Sequence, residues 1–173
     1  MQRRVPILKT ILMSAATAVL AAGASAAADP EVASRHEQWT VYTQDLEGDR
    51  VCFAATPPSD AAPASASHGD VSFIVATWAS GAAREQPMLS VGYALRLGAS
   101  TSARVGSDRF RMFTDGSDAF VEEDGDETRL VSAMRRGYSM RLETMSAEGT
   151  QTTYEFSLSG VTAALRAVSD ACG

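Results

Sequence analysis

Short segments in which apolar and polar residues alternate recur through the second half of the chain, and this pattern constrains the fold more than any other feature. The clearest case covers residues 88–97, whose apolar positions are Leu89, Val91, Tyr93 and Leu95. Alternation with a period of two is typical of a strand with one buried face and one wet face. Residues 71–78 differ, because they carry apolar side chains on both faces, which predicts a central strand.

Other segments have the composition of strands and are separated by turn residues such as Gly, Asp and Ser. They are residues 39–42, 50–54, 109–113, 119–121, 138–142 and 154–158. A helix is predicted over 127–136, with Asp126 as N-cap and Gly137 as C-cap, and a second helix over 161–171. Eight or nine short strands with two short helices, the second C-terminal, predict a mainly β fold. A β-sandwich is favoured, and a partly open barrel is the alternative.

Residues 1–28 have the three parts of a secretory signal peptide: a basic start, an apolar stretch over 11–22 and small residues before the cleavage site. The apolar stretch is shorter than the roughly 20 residues that a membrane span needs, so an uncleaved anchor is the lesser alternative. We predict cleavage after Ala26 or Ala28. The mature protein is expected in the periplasm or on the outer surface of a Gram-negative bacterium.

Cleavage of the signal peptide changes the charge of the chain. It removes Arg3, Arg4 and Lys9 and leaves 12 basic against 21 acidic residues, a net charge of −9. A chain this acidic repels nucleic acid and anionic lipid, so we predict neither as a partner, and no membrane span in the mature chain. Residues 29–38 are expected to be a loose lead-in, and residues 39–173 a single domain.

The mature chain contains two cysteines, Cys52 and Cys172. In an oxidising compartment two cysteines are expected to form one disulfide, with two free thiols as the alternative. The second predicted helix has one apolar stripe, made of Val161, Ala164, Leu165, Val168 and Cys172. This stripe places Cys172 on the buried side of the helix, where it can reach a sheet residue such as Cys52.

Signatures of enzymes and of metal sites are missing from the sequence. His36 and His68 have no second ligand at metal spacing, and both are expected to be solvated loop residues. There is no nucleophile elbow, no C-x-x-C motif and no phosphate loop. The acidic segment 122–127 fails as an EF-hand, because aligning its glycine with position six puts Phe120 and Val131 at ligand positions one and twelve. A looser cation site is the alternative. We therefore predict no catalytic, cofactor-binding or metal-binding residues.

The order of several segments resembles the invasion-associated locus B family of alphaproteobacterial secreted proteins. The resemblance is carried by Trp39, Cys52, the Pro/Ser-rich loop, the strand at Val71, Val91-Gly92-Tyr93, Ala133-Met134-Arg135-Arg136-Gly137, Ser157-Leu158-Ser159-Gly160 and Cys172. It implies a β-sandwich-like periplasmic or surface protein, and the family's name implies a part in bacterial entry into host cells. It supplies no catalytic residues.

The sequence is compatible with three functions. The favoured one is a non-enzymatic protein that binds an unknown protein or envelope component through a sheet face or a loop. Trp78 is a candidate border of such a ligand patch, with ordinary packing as the alternative. The second is a ligand-free structural or envelope-stress protein. The third is a hydrolase that uses the carboxylates of Asp115, Asp118, Glu122 and Asp124.

Overall fold

The computed structural model describes residues 29–123 and 125–173. The predicted signal peptide, residues 1–28, lies outside the described residues. The strands are β1 Glu31–His36, β2 Trp39–Leu46, β3 Asp49–Thr56, β4 Asp60–Ala62, β5 Ser72–Trp78, β6 Gln86–Ser90, β7 Thr101–Val105, β8 Asp108–Asp115, β9 Asp118–Val121, β10 Ser139–Met145 and β11 Gln151–Ser157. The helices are α1 Asp126–Arg136 and α2 Val161–Cys172.

All eleven strands belong to one antiparallel sheet in the order β1-β2-β3-β5-β6-β9-β8-β7-β10-β11-β4. The predicted mainly β class with two helices, the second C-terminal, is confirmed. The described residues form eleven strands, more than the eight or nine predicted. They make one continuous sheet that is not closed into a barrel.

The sheet bends so that strands far apart in its order face each other across the core. The rings of Phe73 in β5 and Phe156 in β11 have their centroids 5.8 Å apart. The indole N–H of Trp39 in β2 donates to the carbonyl of Ser157 at 3.1 Å. Because β2 and β11 stand near opposite ends of the sheet order, these contacts require the two halves to enclose one core.

Helix α2 packs against the inner side of β1, β2, β3 and β5. The apolar stripe predicted from the sequence is its buried face. Its N-cap, Gly160, has φ +90°, and an added Cβ would lie 2.1 Å from the carbonyl oxygen of His36. Only glycine fits this position, which holds the start of α2 against the turn between β1 and β2.

Helix α1 starts one residue earlier than predicted. Its N-cap is Gly125, with φ 85°, and no side chain caps it, so the prediction that Asp126 is the cap is wrong. Asp126 instead lies in the first turn, where its carboxylate suits the positive end of the helix dipole. Gly137 is the C-cap as predicted, and its N–H bonds to the carbonyl of Ala133.

Four segments differ from the sequence prediction. Residues 29–38 contain β1, an edge strand mostly exposed on both faces, so its sequence carries no apolar alternation. The short edge strand β4 lies in the Pro/Ser loop, and β7, whose inward positions are Thr, Ala and Val, was missed. The strand predicted over 88–97 ends at Ser90. An added Cβ on Gly92 would lie 2.7 Å from the Cα of Gly69, so a crossing backbone occupies the space beside this segment.

Candidate functional site

The outer side of one half of the sheet is apolar although neither helix covers it. Both helices lie on the inner side, since Cys172 of α2 is bonded to Cys52 and Arg129 of α1 lies over the ring of buried Phe110. We call this surface the outer apolar face; it consists of Val32, Tyr42, Phe53, Ala55, Ile74, Ala76, Trp78, Met88, Phe113 and Phe120. Except for Val32, which lies in the exposed edge strand β1, these residues alternate along their strands with buried ones.

The outer apolar face is continuous, because its residues are direct neighbours across the strands. One row runs Ala55, Ile74, Met88, Phe120, Phe113. A second row runs Val32, Tyr42, Phe53, Ala76. At the strand spacing of about 4.8 Å, the first row is about 19 Å long. Each row contains a stacked ring pair: Phe113 with Phe120 at 5.7 Å ends the first row, and Tyr42 with Phe53 at 5.1 Å lies in the middle of the second.

The border of the outer apolar face carries charge, whereas its two central rows contain none. Arg35 on β1 lies beside Thr40 on β2, and its guanidinium donates to the hydroxyl of Thr40 at 3.2 Å. No carboxylate within residues 29–123 and 125–173 forms a salt bridge with Arg35. At the opposite border, Arg111 pairs with Glu122 at 3.3 Å and with Glu123 at 2.6 Å.

A second candidate site is a cleft of about 460 Å³ between the Pro/Ser loop, the segment after β6 and the β10–β11 turn. We call it the loop cleft. Its lining is Pro63, Ser65, Ala66, Ser67, Gly92, Tyr93, Ala94, Ser146, Ala147, Glu148, Thr150 and Thr152. Hydroxyl-bearing and small side chains dominate this lining, and Glu148 is its one charged residue.

A chain of side-chain hydrogen bonds lies under the loop cleft. The hydroxyl of Tyr93 is 2.7 Å from Thr152 Oγ1 and 2.7 Å from the hydroxyl of Tyr154. The hydroxyl of Tyr154 is 2.9 Å from His68 Nδ1, and His68 Nε2 is 3.0 Å from the carbonyl oxygen of Pro63. The chain thus joins the Pro/Ser loop to β11 and to the segment after β6.

When His68 is neutral, its hydrogen bond to the Pro63 carbonyl determines which group donates in every bond of this chain. The carbonyl of Pro63 only accepts, so His68 Nε2 carries the proton and Nδ1 accepts from Tyr154. Burial raises the pKa of the Tyr154 phenol above its ordinary value, which keeps this donor protonated. The oxygen of Tyr154 then accepts from Tyr93, and the oxygen of Tyr93 accepts from Thr152.

The sequence predicts a solvated loop histidine at His68; it lies in that loop and is partly exposed, but both of its ring nitrogens are hydrogen-bonded to protein groups. Its partner Tyr154 is 86 positions away, so no local spacing could reveal the contact. A different signal was present in the sequence. Tyr93 and Tyr154 occupy inward positions of alternating segments, and a phenol on an apolar face needs a hydrogen-bond partner. Searching for partners of these two hydroxyls would have identified the chain.

The structure contains the predicted disulfide between Cys52 and Cys172, whose Cα atoms are 5.8 Å apart. The carboxylates named for the alternative hydrolase lie along the chain in the β8–β9 hairpin and just after β9. Asp115 and Asp118 face each other at an open hairpin turn, and Glu122 pairs with Arg111. Asp124 lies outside the described residues. Over the described part of the chain, no three His, Cys, Asp or Glu side chains are grouped so that they could hold a metal ion.

These features define a mainly β protein with one bent sheet, two helices on its inner side and a disulfide that fastens the last helix. The chain belongs to the invasion associated locus B (IalB) protein family, whose model matches residues 39–169. This confirms the resemblance found in the sequence. Comparison with curated proteins and comparison with solved structures each give no match. None of the described helices is both long and apolar enough to span a membrane.

Proposed function

We propose that this member of the IalB family is exported and acts without catalysis, by binding a protein partner of the cell envelope through the outer apolar face. The observation that supports the proposal is the composition of that face. Aromatic and Met side chains fill its centre, charges are confined to its border, and this is the anatomy of a protein–protein interface. Monomeric proteins rarely expose contiguous apolar patches of this kind without a use for them.

Charge at the border favours a partner with an acidic rim. Arg35 has no acidic partner of its own in the described chain, and it stands next to the apolar rows. The mature chain is otherwise acidic, so an acidic protein is attracted only where basic side chains point outward. The partner that fits is therefore a protein whose apolar patch is flanked by Asp or Glu.

Binding through the outer apolar face predicts that substitutions on it weaken the complex selectively. Val32 and Phe113 are 51% and 50% exposed, so replacing both with serine disturbs the core little. We expect Val32→Ser/Phe113→Ser to weaken binding by at least about tenfold, or 1.4 kcal/mol. The matched control is Leu97→Ser/Tyr138→Ser, two residues that are 74% and 94% exposed but lie off this face.

The partner is captured from envelope extract of the native host, identified, purified and titrated by calorimetry. The proposal is supported if the purified partner binds the wild type, binds Val32→Ser/Phe113→Ser more weakly, and binds the control variant with unchanged affinity. Arg35→Glu should lower the association rate constant, and high salt should have the same effect. Equal losses for both double variants contradict the proposal. So does a wild-type dimer that the face variant dissociates, since the occupant is then a second copy, or binding to lipid vesicles in place of protein.

Export makes a separate prediction about the N-terminus. Protein isolated from the native host should begin at Ala27 or Asp29, because small residues precede both cleavage sites. N-terminal sequencing gives the answer directly. A chain that still begins at Met1 in the native host contradicts cleavage, and its recovery from the cytoplasmic fraction contradicts export.

A further inference from the structure

With His68 neutral, the floor of the loop cleft has a defined hydrogen-bonding character. With the chain directed from Thr152 through Tyr93 to Tyr154, the proton of each hydroxyl is already donated within the protein. The oxygen of Tyr93 keeps one lone pair, and Thr152 Oγ1 keeps its lone pairs. Both residues line the cleft. The floor therefore offers acceptors, and a ligand placed on it has to donate.

The walls of the loop cleft narrow the class of ligand further. Glu148 is the one charged residue of the lining. Arg96 lies beside the cleft, where it donates to the carbonyl of Ala147 at 3.3 Å, but it is not part of the lining, so the lining itself gives an anionic ligand no cation to pair with. A purely apolar ligand would leave the floor acceptors unpaired, which is costly. Ser65, Ser67 and Thr150 place hydroxyl groups on the walls, and these groups can both donate and accept.

Tyr93 adds an apolar surface to this polar lining. Two hydrogen bonds of 2.7 Å fix its phenol, and its ring is partly exposed where it borders the cleft. Ala94 and Ala147, which also line the cleft, carry only methyl groups. The volume of about 460 Å³ is that of a small-molecule site.

We propose that the loop cleft binds a neutral saccharide of one or two rings, with a hydroxyl group donating to Tyr93 and a C–H face packed on the ring of Tyr93. A saccharide combines several hydroxyl donors with an apolar ring face, which is the combination that the floor, walls and ring require. The outer apolar face lies on different strands, so this proposal stands independently of the proposed protein partner.

The test titrates the mature protein with the uncharged disaccharides maltose, cellobiose, lactose and N,N′-diacetylchitobiose, and with dialanine, a zwitterion of zero net charge, as a peptide probe, by ligand-observed NMR. At least one disaccharide should bind with a dissociation constant of about 1 mM or lower. Tyr93→Phe should weaken that binding by at least about tenfold, because a site hydroxyl that pairs with a substrate hydroxyl is lost. Ala94→Phe leaves the hydrogen-bond chain intact but fills the cleft, and it should abolish binding. Leu97→Ser, outside the lining, is the control that should bind normally.

Deoxy analogues of the bound sugar separate a direct contact from a change in folding. One monodeoxy analogue should bind the wild type more weakly than its parent sugar, and should bind Tyr93→Phe as well as the parent does. Thermal unfolding checks that each variant is folded. The proposal is overturned if no disaccharide binds at millimolar concentrations, if dialanine binds in their place, or if folded Ala94→Phe binds as tightly as the wild type.

Discussion

Replacing Trp39 with alanine is expected to lower the free energy of unfolding by about 3–5 kcal/mol. The indole is fully buried at the start of β2, and its removal deletes a large apolar side chain and leaves a cavity. Trp39 also joins β2 to the far side of the sheet through the carbonyl of Ser157. Urea denaturation, followed by circular dichroism, measures the change.

Two further variants show which property of Trp39 matters. Trp39→Phe keeps most of the apolar volume but leaves the Ser157 carbonyl without its donor, so we expect a loss of about 1–3 kcal/mol. Trp78→Ala is the matched tryptophan control, because Trp78 is only partly buried on the outer apolar face. If Trp78→Ala costs as much as Trp39→Ala, the core is not centred where the structure places it.

The strands were largely predictable from the sequence, whereas their neighbours were not. Alternation assigns a residue to a face. Of the predicted inward set Leu89, Val91, Tyr93 and Leu95, Tyr93 is partly exposed and the other three are buried. Alternation carries no information on which strand lies alongside. The contact of Phe73 with Phe156 depends on the order of all the strands between them. The edge strand β1 is held by backbone pairing with β2, which its side chains do not reveal.

The candidate sites were less predictable than the fold. Residues 71–78 carry apolar side chains on both faces, which predicts a central strand. β5 is central, yet Ile74, Ala76 and Trp78 stay partly exposed on the outer apolar face. A strand that is buried on both faces and a strand with one uncovered apolar face have the same sequence pattern. The hydrogen-bond chain under the loop cleft joins residues 61 and 86 positions apart, beyond the reach of any local motif.

Loss of the Cys52–Cys172 disulfide is expected to lower the free energy of unfolding by about 2–4 kcal/mol. The bond closes a loop with a sequence separation of 120, so it restricts the unfolded chain strongly. In the folded protein it fastens the last turn of α2 to β3. Urea denaturation of the wild type with and without reductant measures the loss. The Cys52→Ala/Cys172→Ala variant is the control, and its stability should not respond to reductant.

The fold should survive reduction, since the core does not depend on the bond alone. Val161, Leu165 and Val168 remain buried against the sheet, so the reduced protein should unfold cooperatively at lower urea. Its m-value should equal or exceed that of the oxidised protein, because the unfolded chain without the cross-link exposes at least as much surface. A fall in the m-value would instead show that α2 detaches before the sheet unfolds. Alkylation of unreduced protein taken from the native host tests whether the bond forms in the cell. Two alkylated thiols there would show that the bridge does not form, and would remove the support that it gives to export into an oxidising compartment.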